Sequence, residues 1–196
     1  MRILGLDIST SNVGLCLMDT ELPQTHRVVL AIGIPLSKEK GLYTKSCKVR
    51  DAIKELCSQT SVDAITIEES LQAFRRNMSS AKTIRTLNRF NGIVSYIARS
   101  ELDAPVISGN VISVRNKIGL KIQKKSEKTT KEQVFEWVRC HDEMCSFNWP
   151  TKVLKSGPHK GKIRNEVFCY DIADAFVMAL WGCEHLKIDE LDSTIL

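Results

Sequence analysis

Four carboxylates are distinguished by where they fall. Asp7 closes an apolar run at 2–7 (RILGLD), and Glu68 closes a second at 62–68 (VDAITIE). Asp171 and Asp174 stand three residues apart near the start of an apolar helical pattern at 166–185, which places them on one helix face. Each has an ordinary reading, as a turn former or as a first-turn acid that complements the helix dipole. As a set they suggest chemistry. Asp171 and Asp174 are flanked by Tyr170, Ile172, Ala173, Ala175 and Phe176, so the helix is largely packed. Two like charges on a packed face repel unless a cation or a basic partner lies between them. Carboxylates alone select hard divalent cations, and magnesium keeps several waters for substrate phosphates. Two such ions about 4 Å apart activate a water and stabilise the leaving oxygen in phosphodiester hydrolysis. Glu69 adjoins Glu68, but period-two alternation puts them on opposite faces. Glu68 is chosen because Ile65 and Ile67 then share the other face.

The elements that must position these acids follow from the hydrophobic pattern. The run at 2–7, a polar turn at 8–12 and a run at 13–18 predict a hairpin, and 27–36 (RVVLAIGIPL) predicts a third strand in an antiparallel meander. Apolar positions at period 3.6 predict a helix over 41–57. The strand at 62–68, reached through that helix, pairs most simply in parallel with the first, so Glu68 comes beside Asp7. Residues 70–78 are polar and read as a loop or an irregular helix start. A helix is predicted over 79–100, a short strand over 104–108 and a short helix over 110–118. Thr129 and Thr130 are candidate caps of a helix over 131–145. Residues 148–164, with Trp-Pro, Gly-Pro and Lys-Gly-Lys, read as a long loop.

Composition excludes several classes. With 196 residues, 43% hydrophobic and 26% charged, the chain is long enough for one domain with a real core. No apolar run approaches the roughly 20 residues a membrane span needs. The first strand begins at once with no signal-peptide pattern, so a cytoplasmic location is expected. The seven cysteines are scattered without a C-x-x-C pair, so reduced, mostly buried thiols are expected rather than zinc. Net charge is +5, and the basic residues cluster. Seven fall between Arg115 and Lys131 against one acid, Glu127; five Lys or Arg plus His159 fall between Thr151 and Arg164 with no acid. Two such clusters in loop-like contexts favour contact with a phosphate backbone over a merely solvated face. The end of the chain, about 187–196, is acidic instead.

Residues 3–7 (ILGLD), Ile67-Glu68 and Asp171-Ile172-Ala173-Asp174-Ala175 resemble the acidic motifs of the RuvC-like Holliday junction resolvases, of the ribonuclease-H-like, retroviral-integrase superfamily. Weaker similarity lies in 89–93 (RFNGI), in 117–120 (KIGL) and in 131–134 (KEQV). The resemblance implies an α/β, ribonuclease-H-like fold in a single domain over 1–196. Its sheet would be five-stranded and mixed, three antiparallel strands then parallel strands, flanked by helices. It implies a homodimer that cuts four-way or other branched DNA by paired symmetric nicks. It also implies two magnesium ions, with manganese as the substitute: Asp7 bridging them, Glu68 and Asp174 on one each, and Asp171 completing the set. A wedge residue follows the second acidic motif in this family. Phe74 is the candidate here, with ordinary core packing as the other reading. Arg75, Arg76, Lys117, Lys121, Lys124 and Lys125 would hold phosphates. The chain departs from the pattern at Ser9, where the family has Gly, and in the longer stretch at 149–164.

Other classes fit less well. An actin-like or sugar-kinase-like ATPase lobe shares the strand-Asp-turn opening, but its phosphate turn prefers Gly where residues 8–12 read ISTSN. A non-catalytic nucleic-acid-binding module would suffer repulsion from four clustered carboxylates. A related ribonuclease-H-like nuclease acting on branched DNA or on RNA–DNA hybrids is the alternative that the sequence separates least.

Overall fold

The computed structural model describes residues 1–58, 60–69 and 81–186. Its centre is a five-stranded mixed sheet, as anticipated. β1 (Arg2–Ile8), β2 (Asn12–Asp19) and β3 (Val28–Pro35) form the antiparallel meander; β4 (Ala64–Glu68) pairs in parallel with β1, and β5 (Val106–Gly109) in parallel with β4. The order across the sheet is β3-β2-β1-β4-β5. The parallel half requires crossovers, and α1 (Leu42–Cys57) and α2 (Ala81–Leu102) supply them. The other helices are α3 (Val111–Lys117), α4 (Thr130–Arg139) and α5 (Cys169–His185).

Side-chain alternation divides the sheet into two faces. Leu4, Leu6, Ile8, Val13, Leu15, Leu17, Ile65 and Ile67 form one core with Val49 and Ile53 of α1 and Phe90, Val94 and Ala98 of α2. The intervening positions, including Gly5, Asp7, Gly14 and Glu68, lie on the opposite face, which α5 covers. Glycines let α5 approach backbone to backbone. A Cβ on Gly5 would sit 2.1 Å from the Ala175 carbonyl oxygen, and one on Gly14 would sit 2.0 Å from that of Asp171. The Thr66 hydroxyl, fully buried, donates to the Met178 carbonyl at 3.0 Å and ties β4 to the same helix.

Several boundaries differ from those expected, each for a local reason. α4 begins on a complete Thr129–Glu132 capping box, but stops at Arg139 rather than running to 145. Beyond it the chain turns so that Glu143 and Met144 are buried, with Met144 in the core under α5. α5 starts three residues later than expected, because 166–168 forms a turn with Cys169 N–H donating to the Glu166 carbonyl. The expected loop at 148–164 contains β6 (Thr151–Val153) and β7 (Ile163–Asn165), paired antiparallel with each other. Three-residue strands are too short to show alternation. α3 is capped by Asn110, whose side chain accepts from the Ile112 and Ser113 amides. The six described cysteines are unpaired, but Cys140 and Cys145 are exposed, because the short α4 leaves them in turns. Among the described residues no helix is long and apolar enough to cross a membrane.

Candidate active site

Three elements bring acid to one place. Asp7 lies opposite Gly14 in the β1–β2 pairing, and Gly14 is where the backbone of Asp171 touches the sheet. The first turn of α5 is therefore held against the end of β1. On the other side, Leu6 is in register with Ile67, which sets Glu68 beside Asp7 on the same face. A cavity of about 230 Å³ opens there, lined by Asp7, Glu68 and Asp174 together with Arg115, Lys131 and Asn91. Asp171, 3% exposed, sits beneath it rather than in its wall. Glu69 also reaches the cavity.

The electrostatics are those of crowded like charge. Burial raises the Asp7 carboxyl well above the ordinary aspartate range; Asp174, Asp171 and Glu68 push the same way, and Lys131 opposes them. Burial also raises Glu68, with Asp174 adding and Arg115 and Lys131 opposing. Asp174 is raised by burial even though Arg115 and Lys131 favour its charge. Arg115 Nη2 lies 3.3 Å from Asp174 Oδ1, and Lys131 Nζ lies 3.6 Å from Asp171 Oδ1. Burial opposes the Lys131 charge, but Asp171, Asp7 and Asp174 outweigh it and hold its pKa above that of a free lysine. Arg115 Nε is buried and, among the described residues, has no hydrogen-bond partner.

The donor set is carboxylate oxygen throughout, which fits a hard divalent cation. Relief of the repulsion on Asp7 points the same way. As the side chains stand, no group of three or more His, Cys, Asp or Glu among the described residues is drawn tightly enough to hold a metal ion. Arg115 and Lys131 instead take one carboxylate each.

The remaining sequence candidates fall in two places. Phe74, Arg75 and Arg76 lie outside the described residues. Lys117, Lys121, Lys124 and Lys125 are exposed on the end of α3 and on the segment leading to α4, outside the cavity wall. That segment joins the helices carrying Arg115 and Lys131, so it borders the site. Arg115, Lys131 and Asn91 are the site members that sequence reasoning did not single out. Lys131 and Asn91 stand within the weaker family-like stretches at 131–134 and 89–93, which was the available signal.

No family model matches the chain, and no curated protein does. Solved structures do. The chain is similar to Thermus thermophilus RuvC in complex with a Holliday junction substrate at 19% identity and TM-score 0.60, over 93% of this chain and 92% of that one. A second structure of the same protein gives 19% identity and TM-score 0.59, over 93% of each chain. The yeast mitochondrial Holliday junction resolvase gives 14% identity and TM-score 0.54, over 98% of this chain and 81% of that one. At such identities the likeness establishes the fold: an α/β architecture of the RuvC and ribonuclease-H-like kind.

Proposed function

We propose that this chain is a structure-selective DNA endonuclease that resolves four-way junctions by divalent-metal-dependent phosphodiester hydrolysis. The observation that carries this reading is the convergence of Asp7, Glu68 and Asp174, from two strands and a helix, on one cavity with Asp171 beneath it. The shared fold with junction resolvases supports it. Asp7, Glu68, Asp171 and Asp174 would hold magnesium, or manganese in its place. When bound, such ions supply an activated water and stabilise the leaving oxygen.

The chain's own residues do the rest. β1 holds the Asp7 backbone opposite Gly14, so the strand itself brings this residue to the cavity. Arg115 and Lys131 bring positive charge into a cavity that would otherwise repel a phosphate, Arg115 beside Asp174 in its wall and Lys131 beside the buried Asp171. Lys117, Lys121, Lys124 and Lys125 grip the backbone beside the cavity, sequence-independently and in a salt-sensitive way. Arg75 and Arg76 add to that grip, and Phe74 parts bases at the junction centre. Two symmetric nicks require two such sites, so the working form is a homodimer.

The test is cleavage of labelled four-way, three-way, flap and RNA–DNA hybrid substrates side by side with magnesium. The expected result is paired nicks in the four-way junction in preference to the others. Preferential cutting of hybrid or flap would replace the resolvase reading with that of a related nuclease, and no cutting at all would end both. Sedimentation at working concentration checks the dimer; a monomer with full activity would refute it.

A further inference from the structure

A second basic surface stands apart from the cavity. β6 and β7 pair only with each other among the described residues, as a ribbon with Lys152 opposite Arg164 and Val153 opposite Ile163. The ribbon is anchored at its base: the Glu166 amide donates to the Pro150 carbonyl at 2.9 Å, and Lys152 pairs with Glu166 at 3.0 Å. Its outer part is held by the Leu154 amide donating to the Lys162 carbonyl and the Gly161 amide to that of Leu154.

A lone two-stranded ribbon is marginal in water, and this one has features the fold does not need. Val153 and Ile163, a cross-strand pair, are 56% and 73% exposed, so they add little to the core. Among the described residues Lys155, Lys160 and Lys162 have no carboxylate within ion-pair distance. Residues 151–164 contain no acid. Exposed aliphatic groups set among unneutralised cations suit a surface that is apolar in its grooves and anionic on its rims. Duplex DNA is such a surface, and its major groove, about 12 Å wide, admits a two-stranded ribbon.

The placement agrees. A groove of about 540 Å³ separates the ribbon from the start of α5, with Lys152, Arg164 and Tyr170 in its wall. Tyr170 lies one helical turn before Asp174, nearly in line with it, so the groove leads toward the catalytic end of α5.

We propose that the 151–165 ribbon is a second DNA-contacting element, which holds a double-stranded arm of the substrate through Lys155, Lys160 and Lys162. The proposal takes the identity of the DNA substrate from the nuclease reading, and the contact itself from the ribbon's charge and exposure.

The test uses the full chain in EDTA, so that no cutting intervenes, with a fluorescent four-way junction titrated at several salt concentrations. The K155Q/K160Q/K162Q variant is compared with wild type and with K155R/K160R/K162R. The glutamine variant is expected to bind about tenfold or more weakly near 0.1 M salt. Its log affinity against log salt should be shallower by about 2 to 3, because three phosphate contacts are gone. The arginine variant should match wild type, and all three should melt alike. Equal affinity and slope in wild type and the glutamine variant would overturn the proposal; that is the result expected if the ribbon serves an acidic protein instead. So would equal weakening by glutamine and arginine, or wild type that does not bind the junction. A loss on glutamine substitution in a protein that cuts no branched DNA would keep the ribbon and remove the nuclease reading. Junction cutting with glutamine-insensitive binding would do the reverse.

Discussion

The two ends of β1 treat a carboxylate in opposite ways. At the start of the strand, Arg2 faces Asp19 of β2 in the pairing register. Asp19 is buried, but it accepts from Arg2 Nε at 2.9 Å and from the Glu21 amide at 3.0 Å, with the terminal amine 3.9 Å away. Burial would raise its carboxyl, yet these partners, Arg2 foremost, hold it below the ordinary aspartate value. At the far end, five positions on from Arg2, Asp7 faces a glycine and is surrounded by other acids that drive its carboxyl up. The first arrangement favours the folded state. The second works against it, and the chain retains it at the cavity where β1, β4 and α5 meet. A carboxylate that the fold would be better without is a stronger sign of function than a basic surface, because exposed lysines cost folding almost nothing.

The contrast can be broken or sharpened by experiment. The largest effect is expected from Asp7→Asn: junction cleavage in magnesium should fall by roughly 1000-fold or more, the scale of several kcal/mol of lost electrostatic stabilisation. Single-turnover gels would show it, and binding in EDTA should be preserved. Cleavage within tenfold of wild type would place the chemistry elsewhere. Next, magnesium at about 100 times its Kd should stabilise wild type by about 2.7 kcal/mol. That should raise Tm by roughly 5–11 °C, and far less in Asp7→Asn. An equal rise in both would locate the ion outside this cluster.

At the other end of the strand, Asp19→Ala should cost about 2 kcal/mol, the scale of a hydrogen bond to a charged group, since it removes the buried acceptor of the Arg2 guanidinium. Tm should fall by roughly 4–8 °C with cleavage unchanged. The smallest effect has the opposite sign. In EDTA near pH 8, Asp7→Asn should raise Tm by about 2–4 °C, on the order of 1 kcal/mol. Because the folded state binds the Asp7 proton more tightly than the unfolded chain does, the wild-type contribution is full below the unfolded pKa, near 3.9, and is lost as pH rises through the raised folded value. The melting difference between variant and wild type should therefore shrink toward zero as pH falls to about 4. A constant difference across that window would mean that Asp7 titrates normally.

Much of this arrangement was legible in the residues. The runs ending at Asp7 and Glu68 are short and largely apolar, each closed by an acid, and β1 and β4 follow from them. The choice of Glu68 over Glu69 rested on alternation; the structure places Ile65 and Ile67 in the opposite core as that requires, while Glu69 reaches the same cavity as Glu68. What was not legible depends on contacts between distant segments. Nothing local shows that Arg115 and Lys131 would each reach an acid, because those ion pairs span 59 and 40 residues of chain. α4 reads as longer than it is because Met144 continues the apolar pattern, whereas burial of that side chain needs the chain to turn. The β6–β7 ribbon is invisible because its strands carry three residues each and its register is set by the anchor at Pro150 and Glu166.

Gly14 carries no functional group, yet it sets how near one half of the acid cluster comes to the other. The spacing between β2 and the opening turn of α5 is one backbone resting on another, with no side chain in the gap that could repack to absorb an error. A single added methyl at this position would wedge that turn of α5 outward and leave the rest of the helix seated. Such a protein would fold, carry every acid, and be inert, so a screen for dead but well-behaved variants should recover a residue with no chemistry of its own.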